Sequence, residues 1–142
     1  MGMLDKLFGG SKDYPPLPED NEAQAWLNEV KGPLEELAQR VSDPLEVVPA
    51  ERQAFVFVGK PPKRFGIAWI HDGKVSGLKE LTEEHKLSPG AVGQMVGKLG
   101  HAYEHASESP RFSTEVAGKK VVVIPSKGLE QEVQQIIEHA IH

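Results

Sequence analysis

Residues 54–78 read AFVFVGKPPKRFGIAWIHDGKVSGL, and this stretch decides the fold. Ala54–Val58 and Phe65–His71 are rich in aromatic and β-branched residues, with apolar groups at odd and even positions alike. That pattern suits central strands covered on both faces. Asp72-Gly73 follows at once, and a type I′ turn wants both central residues at positive φ, so Lys74–Leu78 is predicted to return as a third antiparallel strand. Asp72 is thereby assigned to the turn, and strand alternation is expected to point His71 away from it.

Upstream, Leu27, Val30, Leu34, Leu37 and Val41 recur at spacings of three and four within residues 21–41, which predicts an amphipathic helix. Gly32-Pro33 interrupts it, so a kink or two short helices sharing one face are expected. Downstream, Ser88-Pro89 is an N-cap followed by proline at the first helical position, ahead of an apolar stripe through Val92, Met95, Leu99, Ala102 and Ala106. Phe112–Val116 and Lys120–Ile124 flank Ala117-Gly118 as a second hairpin, with Glu115 opposite Lys120. Ser126 caps a closing helix through Leu129, Val133, Ile137 and Ile141.

The expected class is therefore α+β: a five-stranded antiparallel sheet with packed helices, in the order α-β-β-β-α-β-β-α. This order resembles that of roadblock-type dimerisation modules and of small secretion-chaperone domains, whose members bind proteins and catalyse nothing. The resemblance covers most of the chain but is one of element order, and fold does not fix function.

Two units are expected along the chain. Residues 1–18 read as a short peptide followed by a Pro-rich linker, and residues 19–142 as a single domain. Within the peptide, Leu4, Leu7 and Phe8 form a small apolar face around Asp5 and Lys6, suited to docking on a partner or to peripheral contact with a membrane surface. The amino terminus carries no secretory pattern, and Lys6 stands where a myristoylation motif wants Ser or Thr. With 142 residues, 39% hydrophobic and 26% charged, the chain falls in the ordinary globular range. Its cysteine count of zero fits a cytoplasmic location and rules out a thiol nucleophile or a disulfide framework. The net charge of −5 disfavours binding to a polyanion except through a local patch.

Three constellations carry chemistry. His101-Ala-Tyr-Glu104-His105 matches H-x-x-E-H, in which two histidines one helical turn apart hold zinc and the glutamate acts as general base, as in the inverted zincin peptidases. On a helical wheel, however, both histidines fall on the solvent side, roughly 200° and 240° from buried Leu99. Leu81 to Met95 resembles a helix-turn-helix, with hairpin 112–124 as its wing and Gln94 and Lys98 as the residues able to reach DNA. Lys86 stands there in place of the usual turn glycine, and Glu83 and Glu84 would repel phosphates.

The third constellation is Gly93, Gly97 and Gly100, at roughly 120°, 160° and 100° from Leu99, which form a stripe beside the buried face. Glycine weakens a helix interior, so close approach to another surface is the expected compensation. These features lead to a non-catalytic interaction or adaptor module without a cofactor. Its partner would be another protein or a second copy of itself, bound through Gly93, Gly97, Gly100 and the apolar peptide. The winged helix-turn-helix and the zinc hydrolase are the alternatives.

Overall fold

The computed structural model describes residues 14–142. Among these are five helices and six strands in the order α-α-β-β-β-β-α-α-β-β-α. They are α1 Glu22–Glu29, α2 Lys31–Arg40, β1 Leu45–Ala50, β2 Gln53–Lys60, β3 Arg64–His71 and β4 Lys74–Gly77. Then follow α3 Leu78–His85, α4 Pro89–His105, β5 Phe112–Val116, β6 Lys119–Val123 and α5 Lys127–Ile141. The class is α+β as expected, but the sheet has six strands and is mixed. Its order is β4-β3-β2-β1-β6-β5, with β1 and β6 parallel and every other pair antiparallel.

The unforeseen strand is β1, which carries Pro49 in the sheet interior and follows Pro44. Proline removes a ladder donor and normally argues against a central strand. Here the Val47 carbonyl accepts from the Ile124 amide at 2.8 Å, so odd-numbered residues of β1 turn their backbone toward β6. Pairing with β6 stops at Val47↔Val123. The nitrogen of Pro49, two residues on, therefore points past the end of β6 and costs no hydrogen bond.

Helix α3 is the second addition, and its carboxyl end explains how it stops. Lys86 adopts φ 52°, the left-handed conformation that usually selects glycine, and Ser88 then caps α4 by accepting from the Ala91 amide at 3.1 Å. The first helix divides at Val30, which leaves Pro33 in the first turn of α2, where amides lack helical partners anyway. Both hairpin turns form as expected, with Asp72 and Gly73 at φ 52° and 73° and Ala117 and Gly118 at 54° and 78°. The left-handed Asp72 also breaks strand alternation, so its carboxylate meets His71 Nδ1 at 3.2 Å, contrary to the expectation that the two point apart.

Alternation divides the core into two layers. Val47, Ala54, Val56, Ala68, Val121 and Val123 pack under α1 and α2, and α2 reaches both edge strands. Val48, Phe55, Phe57 and Ile67 pack under α3, α4 and α5 through Leu81, Met95, Leu99, Leu129 and Val133. Burying both faces is what the near-continuous apolar runs of β1 and β2 require.

Part of the stretch expected as linker packs against this core. The Ser113 amide donates to the Pro15 carbonyl and the Leu17 amide to the Ser113 carbonyl, each at 2.9 Å, while Ser113 Oγ donates to the Tyr14 carbonyl. Leu17 is 5% exposed within the first layer. Residues Tyr14–Leu17, on the linker side of the expected boundary between 1–18 and 19–142, thus form a packed strap along β5. Among the described residues, no helix is long and apolar enough to cross a membrane.

Candidate functional site

Helix α4 is amphipathic by composition. Met95, Leu99, Ala102 and Ala106 enter the second core layer, while Gly93, Gln94, Gly97, Lys98, His101, Glu104 and His105 are exposed. Helix α5 lies beside it, burying Leu129, Val133 and Ile137 and leaving Glu132 and Ile136 half-buried. The two helices bound a groove of about 610 Å³ lined by Gln94, Gly97, Lys98, His101, Glu132 and Ile136. Four residues from three separate sequence-derived constellations, Gly97, Gln94, Lys98 and His101, meet in this one groove.

The glycine stripe does not act as a unit. A Cβ added at Gly93 or Gly97 would meet no heavy atom within 4 Å. At Gly100 it would lie 3.1 Å from the Pro62 carbonyl oxygen and 3.6 Å from the Phe65 ring. Gly100 is buried, and its lack of a side chain lets the loop between β2 and β3 approach the helix. Gly93 and Gly97 answer to nothing within the described residues. Gly97→Ala is expected to raise the unfolding free energy by about 0.8 kcal/mol in a urea titration, because helix propensity improves and no clash opposes it.

The histidines separate as well. His101 lines the groove, whereas His105 Nδ1 lies 3.1 Å from Glu132 Oε2 on α5. Glu104 is exposed. Among the described residues, no group of three or more His, Cys, Asp or Glu side chains is placed to hold a metal. The helix-turn-helix residues do form a helix pair, with Leu81 and Met95 buried and Gln94 and Lys98 exposed. Hairpin β5–β6, the expected wing, lies at the opposite edge of the sheet from β4, against which α3 packs. Leu4, Leu7 and Phe8 lie outside the described residues.

One cluster escaped the sequence altogether. Tyr103 donates from its hydroxyl to Glu46 Oε1 at 2.7 Å, and Arg111 Nε lies 4.0 Å from the same oxygen. The Arg111 side chain is 9% exposed, sits 5.2 Å above the Tyr103 ring and donates to the carbonyls of Ala106, Ser107 and Ser109. It thereby holds the turn that follows α4 while offsetting the charge of Glu46. Nothing local marks these residues, since Glu46 and Tyr103 are 57 positions apart.

Burial, reinforced by the Glu46 carboxylate, pushes the Tyr103 hydroxyl up to about 12. A group whose folded pKa is raised contributes stability that is complete below its unfolded value, near 10, and lost as pH rises through the folded value. An ultraviolet titration is accordingly expected to show one of the two tyrosines ionising near pH 12, with loss of stability above pH 10. Tyr103→Phe should remove that late step.

No protein family matches this chain, and searches among curated proteins and solved structures find no significant similarity.

Proposed function

We propose that this chain is a non-catalytic protein-interaction module whose working surface is the groove between α4 and α5. The observation that carries this reading is the bare backbone position at Gly97 in the groove, with Gly93 exposed one turn before it on the same helix. Each glycine costs a helix interior about 0.8–1.0 kcal/mol relative to alanine. Neither is repaid by packing among the described residues, since nothing stands within 4 Å of the place a Cβ would take. Close approach of an external surface supplies the compensation that the chain itself does not. The groove also has the mixed lining of a protein contact: an apolar Ile136, polar Gln94 and charges of both signs at Lys98 and Glu132.

The test uses the full chain as bait. A protein that it retains is identified, purified and measured by calorimetry against the wild type and against Gly97→Leu, whose Cβ would meet no heavy atom within 4 Å and whose fold is checked by circular dichroism. Blocking the groove is expected to weaken binding at least roughly tenfold, as for a truncated or obstructed interface centre. Equal affinity for both forms would remove the groove from the reading.

A DNA-binding reading retains one observation in its favour, the left-handed Lys86 that joins α3 to α4 in a helix-turn-helix. Duplex binding that falls steeply with salt and is lost on Lys98→Ala would support it. The exposed Glu83 and Glu84 on α3 oppose it.

A further inference from the structure

We propose that a cleft beyond the carboxyl end of α2 binds a single-chain fatty acid, its alkyl chain on the floor of the sheet and its carboxylate among cations at the rim. The cleft opens on the face of the sheet opposite the α4–α5 groove and is independent of the interaction reading above.

The floor is bare by composition. Gly66 and Ala68, successive residues on this face of β3, stand beside Val58 of β2 and Gly77 of β4. A Cβ added at Gly66 would meet no heavy atom within 4 Å. Helix α2 ends at Arg40, where the chain leaves for β1. The cleft so left has a volume of about 450 Å³, and Leu37, Val41 and Leu78 line it together with this floor. That volume and apolar lining are those of a small-ligand site.

The rim is cationic. Arg40 and Lys79 line the cleft. Arg64, two positions before Gly66, falls on the same face of β3 by strand alternation, and its cross-strand partner is Lys60. All four are exposed, and none forms an ion pair among the described residues. Like charges directly opposite each other weaken a strand pair, so an anion held beside Lys60 and Arg64 offsets a cost that the fold otherwise carries. Glu80, the carboxylate of the lining, accepts from the Gly77 amide at 2.8 Å and is turned to the start of α3. In a chain of net charge −5, cations therefore gather around an apolar floor. Guanidinium groups suit a carboxylate head, and the floor suits a chain. A small polar anion would leave the floor uncovered, and an uncharged chain would leave the cations unmatched.

The experiment is a nuclear magnetic resonance titration of the isotope-labelled full chain with octanoate, octanol and acetate. Octanoate is expected to saturate one site, with the largest shifts at the amides of Gly66, Ala68 and Gly77. Octanol lacks the charge and acetate the chain, so each should bind at least roughly tenfold more weakly. Gly66→Val fills the floor with a residue suited to a strand and should weaken octanoate at least roughly tenfold. Arg40→Gln combined with Arg64→Gln should reduce octanoate to the affinity of octanol. Circular dichroism checks that each variant is folded. Where one is not, contacts between the octanoate methylenes and the Gly66 α-protons of the wild type decide.

A wild type that octanoate does not saturate overturns the inference. So do shifts or methylene contacts centred away from Gly66, octanol or acetate binding as tightly as octanoate, or folded variants that keep the wild-type affinity.

Discussion

Arg111→Ala is expected to lower the unfolding free energy by about 3 kcal/mol, read from urea denaturation with an unchanged slope. The figure follows from what removing one partner of a buried ion pair costs, roughly 3–5 kcal/mol, taken at its lower end because the Nε to Glu46 separation is 4.0 Å. Two losses combine. The guanidinium leaves three carbonyls in the turn after α4, those of Ala106, Ser107 and Ser109, and it leaves the carboxylate that Tyr103 also contacts. Arg111→Lys separates them, because a single ammonium retains the charge but not the fork that spans several acceptors. Lysine is therefore expected to recover less than half of the loss, and full recovery would mean that charge alone matters at this position.

Phe57→Ala is expected to cost more, about 4 kcal/mol, within the range for removing a buried aromatic ring. Phe57 is fully buried, its ring lying 5.5 Å from Phe65 and 5.3 Å from Tyr103. It ties β2 both to the end of the following hairpin and to α4. The space left behind lies under Tyr103, so the Tyr103–Glu46 bond should loosen with it and the late tyrosine ionisation should move back toward pH 10. Phe57→Leu, which keeps most of the volume, is expected to lose about 1.5 kcal/mol. Near-equal losses for alanine and leucine would show that the cavity collapses freely and that the ring does not organise its neighbours.

Local chemistry was legible, and contacts distant in sequence were not. Asp72-Gly73 and Ala117-Gly118 specify their turns through backbone conformation alone, and both adopt it. Ser88 and Ser126 need only reach an amide three positions on, and both do. The helical wheel placed Gly97, Lys98 and His101 on the outer side of α4, and they line the groove with Gln94.

Strand β1 was hidden because a proline is judged by the hydrogen bond it would lose, and only the length of β6 shows that none is lost at Pro49. Gly100 sits at a wheel position like that of its fellow glycines, yet it meets Pro62, which only the tertiary path of the β2–β3 loop brings there. The Glu46, Tyr103 and Arg111 cluster joins a strand that was missed to a helix that was found. No reading of either segment alone could assemble it.

The strap along β5 bears on how this protein behaves in crowded surroundings. A sheet edge exposes a row of unpaired amides and carbonyls that can recruit strands from other molecules. On the β5 side that row is met at Ser113 by Tyr14–Leu17, in which Pro15 and Leu17 turn their backbone to β5 and the outward-facing Pro16 has no amide hydrogen. A seventh strand arriving there would find too few consecutive donors to continue the ladder. On the other side, β4 is four residues long and passes directly into α3. Growth of the sheet is thus opposed at one end by an imino acid and at the other by brevity.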